Sequence, residues 1–170
     1  MAEPERSWEA RAAYERYVDA RNAVERGERT WSSIADEFFT EDIVFIDPAW
    51  GRTQGREAVA AFMDESMAGL EDWTFPEEFT MSDGDRVVSM WWNRLPGEGP
   101  DGRPNQAPGV SILHYAGDGR FSYELDVLNM AEVIEIIGNS GWRPPADFNP
   151  PPATPDRNTE PPGDRPGPPS

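Results

Sequence analysis

The chain has 170 residues, a formal net charge of −17 and no cysteine. This length allows one domain with a sizeable core, and the missing cysteine excludes disulfides, thiolate catalysis and cysteine metal sites. The acidic balance argues against nucleic acid and anionic membrane surfaces as partners, because both would be repelled.

All fifteen basic residues are arginine. We expect codon bias in a GC-rich bacterial genome to explain this, and selection for the forked hydrogen bonding of arginine is the alternative. The absence of lysine excludes a Schiff-base mechanism. No basic leader or long apolar run opens the sequence, so we expect a cytoplasmic protein without a membrane segment.

The first half of the chain is predicted to be helical around one short strand. A first helix runs from about Arg6 to Arg26, with one stripe formed by Tyr14, Tyr17, Val18, Arg21 and Val24. A shorter helix begins at Trp31, and the apolar run 43–46 predicts a strand that Asp47-Pro48 ends. A glycine loop, 51–55, opens onto a third helix with a stripe formed by Val59, Phe62, Met63, Ser66, Met67 and Leu70.

From Trp73 onward the apolar period changes from 3.6 to 2, which indicates antiparallel strands. Glycine-containing turns and a long loop separate the segments 73–81, 86–95, 110–115 and 120–128. A short helix with Met130, Val133, Ile134 and Ile137 on one side follows.

The last segment, 143–170, contains eleven prolines and almost no aliphatic side chains. Such a composition cannot bury enough surface to offset the entropy of ordering. We therefore expect a folded domain over 1–142 and a disordered proline-rich tail over 143–170 that is dispensable for folding.

Helix, acidic turn, strand ending in Asp-Pro, glycine loop and helix together resemble the N-terminal half of the nuclear transport factor 2-like superfamily. The resemblance covers about residues 6 to 140. It implies an α+β fold in which a cone-shaped, curved antiparallel sheet wraps around three N-terminal helices, with a short C-terminal helix. The members to compare are the SnoaL-like polyketide cyclases, ketosteroid isomerase and limonene epoxide hydrolase.

Asp47 matches the catalytic base of ketosteroid isomerase, and Tyr17 matches its oxyanion tyrosine. A carboxylate and a tyrosine hydroxyl across an apolar pocket suit enolisation. The chain departs from that enzyme at Ser111, where the second oxyanion acid would stand. The alternative is that Asp47 only caps the Pro48 turn.

Asp126 resembles the general base of the cyclases and of limonene epoxide hydrolase. A carboxylate with apolar walls would have a raised pKa and could activate water or remove a proton. Arg94 is predicted to orient it, although the second acid of the epoxide hydrolase triad is missing beside that arginine. The alternative places Ser122, Glu124 and Asp126 on a solvated strand face.

The remaining candidates would bind ligand. His114, the only histidine, could pair with Asp126, but a register shift of one residue would reverse its face. Trp50, Trp73 and Trp92 are candidates for the cavity wall, and at least one of Trp91 and Trp92 faces inward because strand neighbours point to opposite sides. No spacing supports a metal site, and no cofactor is expected.

The sequence therefore predicts a small cofactor-independent enzyme that acts on an apolar polyketide-, terpenoid- or steroid-like molecule by carboxylate acid–base chemistry. The reaction is an isomerisation, a cyclisation or a hydrolysis. A non-catalytic ligand-binding or dimerisation protein with the same fold is the alternative. The aromatic-rich sheet predicts a homodimer.

Overall fold

The computed structural model describes residues 3–163, which form four helices and one six-stranded sheet. The helices are α1 (Glu3–Glu25), α2 (Trp31–Phe38), α3 (Arg56–Met67) and α4 (Met130–Ser140). The strands are β1 (Phe39–Asp47), β2 (Gly51–Gln54), β3 (Glu77–Asp83), β4 (Arg86–Glu98), β5 (Pro104–Gly117) and β6 (Arg120–Leu128). The N-terminal helices, the curved sheet and the short last helix confirm the predicted α+β fold.

The strands lie in the order β2-β1-β6-β5-β4-β3. Every pair is antiparallel except β1 and β6, which run parallel with Val44 opposite Tyr123. The sheet is therefore mixed, which corrects the expectation of a purely antiparallel one. The first strand reaches its place through a long connection rather than a hairpin.

Two segments expected to be loops belong to the sheet. The glycine loop contains β2, which pairs with β1 from Gly51 to Gln54. The proline-rich loop 96–108 narrows to a tight turn in which the Gly99 amide donates to the Arg103 carbonyl and the Gly102 amide donates to the Gly99 carbonyl. The strands β4 and β5 therefore extend into this loop. Long-range pairing has outweighed the local glycine and proline content.

The main core lies where α1 crosses the inner face of the sheet. Tyr17 of α1 packs its ring 5.6 Å from Phe38 and 5.9 Å from Phe39, and Tyr14 lies edge-on to Phe121 at 6.4 Å. Each aromatic side chain buried in this way contributes roughly 1.5–3 kcal/mol. The predicted stripe of α1 is thus the surface that fixes the helix on the sheet.

The segment after α4 contains no helix or strand up to residue 163, yet it contacts the domain. Trp142 packs on Trp73 with ring centroids 5.2 Å apart. Further along, the Asp156 carbonyl accepts from the Arg52 amide at 2.9 Å, and the Thr159 carbonyl accepts from the Tyr123 hydroxyl at 2.7 Å.

This path takes the segment around the edge of the sheet, close to the backbone of Gly51, where a side chain would collide with Asp156. The expected domain end at 142 stays a prediction. Residues 164–170 of the predicted disordered tail lie outside the described residues. No helix within the described residues is long and apolar enough to cross a membrane.

Candidate active site

A cavity of about 220 Å³ lies between the inner face of the sheet and the helices. Most of its wall is aromatic or aliphatic, including Trp31, Phe45, Trp50, Phe62, Trp73 and Trp91. The segment after α4 contributes Phe148, Asn149 and Pro151 to the lining. Such a wall suits a small molecule with an apolar skeleton.

Polar side chains reach this cavity from four neighbouring strands, β1, β6, β5 and β4, and from α1 and α3. Ser111 on β5 lies opposite Asp126 on β6, and both line the cavity. The Trp91 indole donates to the Ser111 Oγ at 2.9 Å, and the Ser111 hydroxyl donates to the Asp126 Oδ1 at 2.5 Å. This chain of two hydrogen bonds fixes the carboxyl group of Asp126.

Asp126 has the electrostatics of a general base. Burial raises the pKa of Asp126 to about 7, the Ser111 hydrogen bond opposes the rise, and the charge of Asp47 adds to it. Both protonation states are therefore accessible near neutral pH, which is the condition for efficient proton transfer. The side chain remains partly exposed, so a ligand in the cavity can reach it.

Glu124 is the acid that the sequence interpretation missed, since it was placed only on a possible solvated face. It is 2% exposed and lines the cavity two residues before Asp126. The Tyr17 hydroxyl donates to its Oε1 at 3.2 Å. The strand period of two was the available signal, because Glu124 and Asp126 must share a face.

Arg21 is the second functional side chain that the sequence interpretation missed, because it stood in an otherwise apolar helix stripe. It is buried, lines the cavity, and donates to the Phe75 carbonyl at 3.0 Å. Its positive charge lowers the pKa of both Glu124 and Asp126, against the larger effect of burial.

Asp47 lies at the end of β1 and also lines the cavity. Its Oδ1 accepts from the backbone amides of Ala49 at 2.7 Å and Trp50 at 2.8 Å. Burial raises the pKa of Asp47, and these two hydrogen bonds oppose the rise. The carboxyl group therefore caps the Asp-Pro turn, whatever else it does.

Three predicted site residues lie on the outer face of the sheet and do not line the cavity. The Trp92 indole donates to Glu78 at 3.0 Å, the Arg94 Nε donates to Gln106 at 2.7 Å, and the His114 ring stacks on Tyr123 at 4.4 Å. Their predicted position in the cavity is therefore corrected. Neighbouring residues of a strand point to opposite faces, and Trp91 and Leu113, the neighbours of Trp92 and His114, occupy the inner face. Tyr17, Asp47, Trp50, Trp73, Ser111 and Asp126 do line the cavity.

A metal site has no support among residues 3–163, where no three His, Asp or Glu side chains cluster at ligand distance. The polar groups of the cavity are carboxyl groups held by hydroxyl, amide and indole donors. The chemistry available from the protein itself is proton transfer.

The fold is shared with several solved structures. A candidate ketosteroid isomerase from Kribbella flavida is 24% identical, with a TM-score of 0.55 over 72% of this chain and 78% of that one. A candidate SnoaL-like polyketide cyclase from Jannaschia sp. CCS1 is 17% identical, with a TM-score of 0.60 over 81% and 95%. An LEH-like epoxide hydrolase from M. tuberculosis is 16% identical, with a TM-score of 0.57 over 76% and 90%.

At these identities the likeness establishes a nuclear transport factor 2-like fold and leaves the reaction open. The family model for the SnoaL-like domain matches residues 11–124, and the chain belongs to that family. No curated protein sequence matches it. The matched region ends at Glu124, so Asp126 and the segment after α4 lie beyond it.

Proposed function

We propose that this protein is a small cofactor-independent enzyme that acts on an apolar polyketide-, terpenoid- or steroid-like molecule, with Asp126 as the general base. The observation that carries this proposal is the environment of Asp126 in an aromatic cavity, where its pKa is about 7. In this role the carboxylate removes a proton from carbon or from water. Ser111 and Trp91 hold it in place.

Homodimerisation is the second part of the proposal. Phe79, Met81 and Val127 lie on the outer face of the sheet with exposed fractions of 48%, 59% and 48%. Exposed apolar side chains of this size on one face favour association with a second copy. Sedimentation at micromolar concentration would contradict this part of the proposal if it gave a single 19.0 kDa species.

The catalytic proposal is tested with apolar ketones and an epoxide as probes: β-tetralone, a β,γ-unsaturated ketosteroid and limonene oxide. NMR in heavy water follows proton exchange beside the carbonyl group, and product analysis follows isomerisation and epoxide opening. Asp126→Asn keeps the shape and removes the basicity, so turnover should fall by about two to four orders of magnitude while binding persists.

Asp36→Asn is the matched control, because Asp36 is an exposed aspartate outside the cavity. If Asp126→Asn turned over the probes as fast as the unsubstituted protein, Asp126 would not be the base. If the probes bound in the cavity without any turnover, the ligand-binding alternative would replace the enzyme.

A further inference from the structure

Glu124 is the cavity acid most completely shielded from solvent. Its Oε1 accepts the Tyr17 hydrogen bond, whereas its Oε2 is buried with no hydrogen-bond partner anywhere in the described chain. Buried polar atoms in folded proteins are nearly always paired. The unpaired oxygen of a cavity-lining residue therefore indicates a partner supplied by a bound molecule.

The surroundings of Glu124 determine its charge. Its strand neighbours are Phe45 on β1 and Leu113 on β5, which are both apolar. The charged or titratable groups that act on it are Asp126 on its own strand and Tyr17 and Arg21 on α1. Burial raises the pKa of Glu124 well above its ordinary value and Asp126 adds to the rise, while Tyr17 and Arg21 oppose it.

These effects favour the neutral carboxylic acid form of Glu124, beside a base, Asp126, whose pKa burial raises to about 7. Two carboxyl groups that interact in one water-poor site do not ionise together, and the more buried one keeps the proton. Alternate residues of a strand stand about 7 Å apart. A substrate fragment lying along β6 can therefore meet an acid with one atom and a base with another.

We propose that Glu124 is a catalytic acid that donates its proton to a carbonyl oxygen of the substrate while Asp126 takes a proton from the adjacent carbon. This inference rests on the proposed role of Asp126 as the base. It selects a substrate class, an enolisable ketone or ester with an apolar skeleton. Tyr17 and Arg21 are the groups that stabilise Glu124 after it has lost its proton.

The proton and electron balance of the step closes within the cavity. The Asp126 carboxylate accepts the proton from carbon, and the electron pair of that C–H bond forms a carbon–carbon double bond. The π electrons of the carbonyl group move to oxygen, which takes the proton of Glu124 and becomes an enol. Return of the Asp126 proton to carbon, at the original position or at the far end of a conjugated dienol, and of the enol proton to Glu124 restores both residues.

The first test uses the unsubstituted protein and a non-reacting probe. β-Naphthol is the planar aromatic analogue of the enol of β-tetralone, and naphthalene lacks its hydroxyl group. Equilibrium dialysis should show β-naphthol bound about three- to tenfold more tightly, the share of one buried hydrogen bond. Infrared spectra at pH 8 should also contain the C=O band of a protonated carboxylic acid.

Two variants of Glu124 separate hydrogen bonding from proton transfer. Glu124→Gln can still donate a hydrogen bond, whereas Glu124→Leu cannot. The exchange rate of β-tetralone should fall by about two to three orders of magnitude in Glu124→Leu and by less in Glu124→Gln. Ser122→Ala is the matched control, because Ser122 is a buried polar residue of the same strand that does not line the cavity.

The results also distinguish this inference from the proposal for Asp126. The preference for β-naphthol should survive Asp126→Asn, persist in Glu124→Gln and disappear in Glu124→Leu. The infrared band should survive Asp126→Asn and disappear in both Glu124 variants. A Glu124→Leu protein that exchanged β-tetralone at the unsubstituted rate would overturn the inference, whatever Asp126→Asn did. Equal binding of β-naphthol and naphthalene by the unsubstituted protein would overturn it even if the Glu124 variants failed to fold.

Discussion

The two faces of β6 differ in the opposite sense from an ordinary amphipathic strand. Glu124 points inward and is buried, with an exposed fraction of 2%, whereas the apolar Val127 is 48% exposed on the outer face. The polar face is shielded because α1 covers it with aromatic side chains, and the outer face has only partial cover. The alternation of polar and apolar residues along a strand therefore shows which residues share a face. It does not show which of the two faces is buried.

The inner face carries a cost in stability that the outer face does not. Glu124 and Asp126 would both be more easily ionised in the unfolded chain, and three further buried polar atoms of cavity-lining residues lack a partner within residues 3–163: those of Arg21, Trp73 and Asn93. Unpaired buried groups destabilise a fold. Their concentration around one cavity is typical of a functional site.

The largest expected effect on stability is at Asp126. Its pKa is raised to about 7 in the folded protein, so its contribution to stability is fully present below its unfolded value of about 3.9 and is lost as the pH rises through 7. Asp126→Asn removes this loss. The variant should exceed the unsubstituted protein in free energy of unfolding at pH 8, by on the order of 4 kcal/mol at most, since one unit of pKa difference is worth about 1.4 kcal/mol.

Urea denaturation at pH 4 and pH 8 measures this difference. Between the two proteins the gap should be large at pH 8 and small at pH 4. An equal difference in free energy of unfolding at both pH values would mean that folding does not raise the pKa of Asp126. The contrast between the two faces of β6 would then not be electrostatic.

An intermediate effect is expected from the segment that covers part of the outer face. Tyr123 is buried there, and its hydroxyl donates to the Thr159 carbonyl. A chain ending at Trp142 loses this contact and the Asp156 contact with β2. Its free energy of unfolding should fall by about 2 kcal/mol, which lowers the melting temperature by about 5 °C.

Calorimetry of three chains tests this expectation: the full chain, one ending at Trp142 and one ending at residue 163. The chain ending at 163 keeps every described contact and serves as the control. An unchanged melting temperature in the shortest chain would support the sequence prediction of a tail that is dispensable for folding.

The sequence predicted the fold more completely than it predicted the site. The period of 3.6 identified the stripe of α1, and the resemblance placed Asp47, Tyr17 and Ser111 at positions that line the cavity. The inward member of the pair Trp91 and Trp92 depends on strand register, which local spacing does not determine. For that reason the sequence analysis named Trp92 as a wall candidate, whereas Trp91 is the one that lines the cavity.

The burial of Glu124 and the path of the last segment could not be predicted from local sequence, for a different reason. Whether a strand acid is solvated depends on what packs over it, and the cover of Glu124 comes from a helix more than one hundred positions earlier. The proline-rich segment likewise lacks a core-forming pattern, but its backbone carbonyls accept hydrogen bonds from Arg52 and Tyr123. Such contacts leave no trace in side-chain periodicity.

The smallest expected effect concerns Asp47, the inner-face acid whose hydrogen bonds are with its own turn. Asp47→Ala removes the acceptor for the Ala49 and Trp50 amides, so the free energy of unfolding should fall by about 1 kcal/mol. Asp47→Asn keeps a carbonyl acceptor at the same place and should cost less. If Asp47 only shapes the turn, both variants retain most of the exchange activity toward β-tetralone. A loss of about two orders of magnitude in Asp47→Asn without a loss of stability would instead favour isomerase-like chemistry centred on Asp47 and Tyr17.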